Sequence, residues 1–335
     1  MLTRDSARLG AARAAAGLLA GGLRPDGVAD AVRSSGARVV HAHNVHPAFG
    51  WRALAAAREA GARVVLHVHN YRLVCAIGTC FTRGEDCTRC HGRNTAPGVA
   101  LNCRGSRVES VVYGAGLALW QRRLAESVDA FVVPSAFALE RLRALGAPVD
   151  GARVIPSVQR SFAGASGAAA GRYALAVGRL TPEKGFADAV AACARVGVPL
   201  VVAGDGPQLE ELRALGGDVR FTGRVSADEV AALRRDAAVA IVPSRYAEIL
   251  PLAALEAMAA GLPVVAARAG GLAEVVPAEG LYPPGDVGAL ADRVGALWAD
   301  AAAGGRALAA ARARCAPPVV GAALRSVYDG RTPAG

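Results

Sequence analysis

Of the chain's 38 basic side chains one, Lys184, is a lysine. It sits with Arg179 in a glycine-framed loop, G-R-L-T-P-E-K-G at residues 178–185, directly after the apolar run Y-A-L-A-V at 173–177. Where arginine has replaced lysine everywhere else, a retained ammonium marks a place for a compact charge that a planar guanidinium would not fill. The plainer alternative is a solvated lysine that survived by chance. A second segment, Y-A-E-I-L-P-L-A-A-L-E-A-M at 246–258, carries Glu248 and Glu256 on either side of Pro251. Proline suits the first turn of a helix, so the N–H groups around Ile249, Leu250, Leu252 and Ala253 are predicted to be free, and such a helix end attracts phosphate. Arg179 and Lys184 would complete the neutralisation, and Glu248 and Glu256 would accept hydrogen bonds from sugar hydroxyls. The combination reads as a site for a diphosphate flanked by two hydroxyl-bearing rings, that is, a nucleoside diphosphate sugar. G-D-G-P at 204–207 adds Gly204 and Gly206 after another strand, but its glycine spacing runs out at Leu209, and a tight strand-to-helix turn explains it equally well. No Asp-x-Asp occurs, so a metal-bridged diphosphate is not expected.

These loops need a scaffold that ends strands side by side. Short β-branched runs alternate with Ala-rich helical stretches along the chain, the pattern of parallel α/β sheets, where ligands sit at the carboxyl ends of strands. Strands are predicted at 38–43, 63–69, 130–134 and 154–156. After a linker-like Gly/Ala/Ser stretch at 157–171 they resume at 173–177, 200–203, 219–222, 239–242 and 263–266. The expected organisation is two doubly wound, Rossmann-like domains, 1–155 and 156–317, followed by a helix and tail at 318–335. With 53% apolar residues but only 5% aromatic, the core must be built from Ala, Val and Leu. Residues 1–155 hold 20 arginines against 11 acidic residues, whereas 156–335 hold 18 basic against 17 acidic. The first domain therefore suits an anionic partner (acidic lipid, phosphorylated substrate or nucleic acid), unless the excess is the arginine drift of an Ala/Gly/Arg-rich composition. No apolar run approaches the ~18–20 residues of a membrane-spanning helix.

Taken together, G-R-L-T-P-E-K-G, A-G-D-G-P, T-G-R-V-S with its Arg224, the Glu248/Glu256 pair, E-A-M-A-A-G-L-P-V-V and G-G-L-A-E resemble the retaining glycosyltransferases of family 4, which have the GT-B fold, two Rossmann-like domains facing across a cleft. The resemblance covers the second half and most of the first. It implies a donor-binding set of Gly178, Gly204, Gly206, Arg224, Ile249, Leu250, Pro251, Leu252 and Glu256. Arg179 and Lys184 would bind the diphosphate, Glu248 the donor sugar and Glu256 the ribose. The implied chemistry is metal-independent hexosyl transfer with retention, the leaving diphosphate being stabilised electrostatically. L-H-V-H-N-Y-R at 66–72 resembles the H-N-Y-R version of the family's active-site motif, which adds His69 to Arg179, Lys184 and Glu248 as a candidate catalytic residue. Two departures stand out. The start resembles the segment that follows the family's first strand and glycine-rich loop, so those elements are expected to be missing, and P-S-V at 156–158 stands where the family often has P-N-G.

His41, His43, His67 and His69 alternate on two predicted strands and share faces. They could form a metal site, but with no carboxylates nearby a satisfied structural role is the plainer reading of His41 and His67. Five of the seven cysteines fall between 75 and 103. Cys75, Cys87, Cys90 and Cys103 give C-x11-C-x2-C-x12-C, a spacing that suits a tetrahedral structural zinc, in an insertion with little to build a core. Free thiols and a redox disulfide are the alternatives. The thiols read as reduced and the chain as cytoplasmic, with peripheral attachment to the inner face of an anionic membrane open to its basic half. The acceptor would be a glycan, a lipid or a small molecule. Two further readings are a non-catalytic nucleotide-sugar-binding homologue and a zinc-dependent nucleic-acid binder. The latter ranks last, because no aromatic stacking stripe accompanies the cysteines, and nucleic acid is not an expected partner.

Overall fold

The computed structural model describes residues 1–4 and 9–331; residues 5–8 and 332–335, parts of the start segment and tail discussed above, lie outside the described residues. The chain divides into two compact units. One comprises residues 1–82 and 87–155 with a return segment beginning at Ala322, the other residues 83–86 and 156–321.

In the first unit, β1 (Val39–His43) and β2 (Arg63–His67) are followed by a cysteine-rich segment bearing the two-residue strand β3 (Phe81–Thr82); its partner β4 (Glu85–Asp86) lies in the short stretch 83–86 assigned to the other unit. β5 (Ala130–Val133) and β6 (Arg153–Val154) complete a parallel sheet of order β1-β2-β5-β6. Val64 and Val65 of interior β2 are fully buried, whereas edge strand β1 is only partly covered. Serines start the long helices here: Ser106 and Ser135 accept hydrogen bonds from the third-residue amides of helices Arg107–Glu126 and Ala136–Ala144, satisfying donors that a helix start leaves open.

The second unit is a six-stranded parallel sheet of β7 (Tyr173–Val177), β8 (Leu200–Ala203), β9 (Val219–Gly223), β10 (Ala237–Val242), β11 (Val264–Ala267) and β12 (Leu281–Tyr282). Its order is β12-β11-β10-β7-β8-β9. Every residue of β8 and β10 is buried, which is why these strands read as unbroken apolar runs rather than alternation: helices cover both faces. Small residues such as Ala174, Ala176 and Ala237 fill the core that aromatics cannot. The strand order reverses between β7 and β10. Such a reversal opens a crevice at the carboxyl ends of the two strands, and the segments that leave those ends carry Lys184 and Glu248.

Candidate functional site

After β7 the chain makes a short turn, Pro182–Lys184. There Lys184 Nζ donates to Glu248 Oε1 at 2.8 Å and to the Tyr246 hydroxyl at 3.4 Å, and it lies 5.0 Å from the Tyr246 ring centroid. Ser244 Oγ donates to the same Glu248 oxygen. Glu248 is 4% exposed, so the pair is a desolvated one. Burial opposes the Lys184 charge, but the neighbouring Glu248 charge and the two hydrogen bonds outweigh it and hold the lysine above its ordinary pKa. An ammonium has three N–H donors, and these two bonds account for two of them. Glu248 is fixed from behind by the G-G-L-A-E segment. Gly271 N–H donates to the Glu248 carbonyl at 2.7 Å, and at Gly270, with φ of 60°, a side chain would collide with the Glu248 backbone.

Gly178, Arg179, Lys184, Glu248, Leu250 and Leu252 line one pocket, together with Ser244, Tyr246 and Ala253. Arg179 is 71% exposed there and approaches Glu183 at 3.7 Å. The helix Leu252–Ala259 begins beside them with Pro251 just ahead of its first turn and no side-chain cap. One expected donor is spent, however: Leu252 N–H turns back to the Leu250 carbonyl at 3.1 Å. The remaining expected donor residues lie outside this pocket lining. Gly204, at φ of 151°, would place a side chain on the Gly178 carbonyl, and Gly206 packs on the backbone of Leu180. G-D-G therefore seats the β8 loop against the β7 loop, as the structural reading of the turn requires. Arg224 is exposed after β9, and Ile249 and Pro251 are buried. Ser244 was missed by sequence reasoning and Tyr246 was given no role; the available signal was two hydroxyls immediately after a fully apolar strand.

Glu256, 40% exposed, pairs with Arg234 of helix Ala227–Arg235, whose side chain is 12% exposed. Replacing Glu256 by Ala leaves that guanidinium buried without its counter-charge. We expect a loss of roughly 1–2 kcal/mol, discounted for the exposed carboxylate, and a Tm lower by a few degrees. Calorimetry of Glu256→Ala beside Glu256→Ala/Arg234→Leu checks this: the double variant should recover, and equal losses would mean the pair contributes nothing.

In the first unit, His69 follows β2 and lines a pocket with Asn44, His46, His67, Asn70 and Arg72. In the β1–β2 register His43 lies opposite His67. Rings 41, 43, 67 and 69 form a cluster, with centroids 4.4 Å apart for His41–His43 and His67–His69, 4.9 Å for His43–His69 and 5.2 Å for His43–His67. His41 Nδ1 meets the Tyr328 hydroxyl at 2.7 Å, and His43 Nδ1 meets His69 Nε2 at 2.6 Å. Burial, reinforced by the neighbouring imidazoles, pushes His41 and His69 down to about 4 and His67 to about 3. All three are neutral at pH 7. The satisfied structural role expected for His41 and His67 does not hold, because both Nε2 atoms are buried without a hydrogen-bond partner.

All seven cysteines are free thiols. Cys75, Cys80, Cys87, Cys90 and Cys103 line one pocket. A hydrogen bond from Cys80 draws the Cys75 thiol down to about 6, and burial pushes Cys90 up to about 11. Among the described residues, however, the one group of three or more His, Cys, Asp or Glu side chains with ligand atoms mutually within 4.8 Å is His41, His43 and His67. The cysteine quartet shares a pocket without its sulfurs gathering at that distance.

The chain's similarities fall on both units. Residues 3–157 match the family model of the glycosyl transferase 4-like domain, and residues 171–300 that of glycosyl transferases group 1. The chain is 41% identical over 155 residues to the glycogen synthase of Mycobacterium tuberculosis, covering 42% of this chain and 37% of that protein. It is 32% identical over 178 residues to a GDP-mannose-dependent alpha-mannosyltransferase of Mycolicibacterium smegmatis, covering 49% and 47%. It thus spans less than half the length of these curated relatives. Among solved structures, sucrose-phosphate synthase of Thermosynechococcus elongatus superposes with a TM-score of 0.66 at 21% identity, over 91% of this chain and 76% of that one. Anabaena HepE in complex with UDP-glucose gives 0.62 at 18%, over 91% and 82%. With both sheets parallel, in two α/β units, and both halves matched, the chain belongs to the GT-B glycosyltransferases.

Proposed function

We propose that this chain is a retaining glycosyltransferase of the family 4 type, moving a hexosyl group from a nucleoside diphosphate sugar to a glycan, lipid or small-molecule acceptor. The observation that carries this reading is the buried Lys184–Glu248 pair at the switch point of the second sheet, in one pocket with Arg179 and beside an uncapped helix start. Arg179 and Lys184 take the diphosphate and stabilise the charge it gains on leaving. Glu248 takes the donor sugar and Glu256 the ribose, while Gly178, Gly204, Gly206 and Arg224 shape the loops around them. Glu248 and Glu256 each already face a cation rather than forming an open carboxylate pair for a bridging divalent ion, which supports the metal-independent transfer proposed here. A zinc ion on Cys75, Cys87, Cys90 and Cys103 would be structural. From the first unit His69 acts as a neutral imidazole. Among the described residues no helix is long and apolar enough to cross a membrane. We place the protein in the cytoplasm, with its basic first half suited to an anionic membrane face when the acceptor is a lipid.

Thermal shift with UDP-, GDP- and ADP-sugars tests the reading. A selective donor at a hundredfold excess over Kd should stabilise by about 2.7 kcal/mol, raising Tm on the order of 5–10 °C. A panel in which no donor moves Tm would overturn it. Binding without release of nucleoside diphosphate in the presence of acceptors would instead select the non-catalytic homologue.

A further inference from the structure

We infer that His41, His43 and His67 form a binding site for a transition-metal ion of the zinc class, built entirely from the first unit. The placement follows from the strands. H-A-H on β1 and H-V-H at the end of β2 put alternate residues on one face, and the parallel register sets His43 against His67. One ring nitrogen from each of the three lies within 4.8 Å of the others. Tetrahedral bonds of about 2.0 Å would bring such nitrogens to roughly 3.3 Å, a closure on the order of an ångström that side-chain rotation supplies.

The hydrogen bonds sort the nitrogens. His41 Nδ1 is engaged by Tyr328 and His43 Nδ1 by His69. With Nδ1–H as the donor in both bonds, Nε2 of each ring keeps its lone pair, and Tyr328 and His69 become the outer partners that ligating imidazoles usually have. His67 completes the set: it is 6% exposed, and its Nε2, like that of His41, is buried with no partner. A buried polar atom left unpaired is costly, and a metal ion would satisfy both at once. Three imidazoles without carboxylates suit Zn²⁺, Co²⁺, Ni²⁺ or Cu²⁺ and not Mg²⁺ or Ca²⁺. Three protein ligands also leave a fourth position open.

Co²⁺ titration of the chelator-stripped, reduced, full-length chain tests this by visible absorption. The expected result is a d–d band that saturates and includes one ion whose affinity falls at least tenfold in His67→Asn and in His43→Asn. Because His67 is buried, the exposed His43 provides the variant that keeps the fold. A sulfur-to-cobalt charge-transfer spectrum that is the same in wild type and both variants would place the metal on the cysteines and overturn the inference. So would the absence of uptake at micromolar Co²⁺.

Discussion

Lys184→Ala should reduce turnover of the nucleotide-sugar donor by about 10³-fold, the upper range for removal of one preorganised charge from a developing anion. Two losses combine. The diphosphate loses a cation that is 20% exposed and held by hydrogen bonds, whereas Arg179 is 71% exposed and its replacement by Ala should cost nearer tenfold. Glu248 is also left without its Lys184 partner in a site 4% exposed. Stranding one member of a buried pair costs about 3–5 kcal/mol, so Tm should fall as well. Fold and chemistry are separable: Lys184→Met/Glu248→Leu should recover most of the lost stability while staying inactive. Lys184→Arg should also fail to restore full activity, because a planar fork cannot repeat the hydrogen bonds to Glu248 and Tyr246 in the space of an ammonium. Release of nucleoside diphosphate under saturating donor measures all four variants. Turnover of Lys184→Ala within threefold of wild type would remove this pocket from the reaction.

Why Lys184 and Glu248 could be placed at one site from sequence, and the pairing of Glu256 with Arg234 could not be seen, is a matter of sheet physics. Strands buried on both faces read as continuous apolar runs, so the ends of β7 and β10, and the polar loops leaving them, are visible one residue at a time. Parallel α/β architecture then brings such loops to one edge. Arg234 sits near the end of an ordinary surface helix, and no local pattern marks which of its neighbours it meets across the fold. The glycines of G-D-G were readable as a turn but not as a close approach to Gly178, which depends on the stacking of β7 against β8. β12, two residues long, is too short to carry a period. In the first unit the alternation of His41, His43, His67 and His69 was legible. That His41 would meet Tyr328 was not, because it depends on where the last helix, Pro317–Tyr328, returns. For the cysteines, spacing suited a structural zinc but left free thiols and a redox disulfide open, and the folded loop brings the four to a common pocket, with Cys75 engaged by Cys80.

Acidification should unfold the first unit before the second. All six histidines lie at or before residue 91, and His41, His46, His67 and His69 are held neutral, with pKa values lowered to between about 3 and about 4 by burial first. An unfolded histidine takes its proton near 6.5. Between that pH and the folded value the unfolded chain therefore binds more protons, and stability falls as the pH drops. The loss is about 1.4 kcal/mol per pH unit for each group fully withheld from water. For His67, the most buried of the cluster, this amounts to on the order of 3 kcal/mol at pH 4; the partly exposed His41 and His69 add less, since solvent screens them. The second unit has no histidine, so its stability should change little over the same interval until its carboxylates titrate. Hydrogen exchange on the metal-free chain at pH 7.5 and pH 5 should show protection lost in β1, β2 and β5 while β7, β8 and β10 keep theirs. His67→Asn should flatten the pH dependence of the first unit even if it lowers stability at pH 7.5, because the group that resists protonation is gone. Parallel loss of protection in both sheets, or an unchanged slope in His67→Asn, would show that the histidine cluster does not govern the acid response.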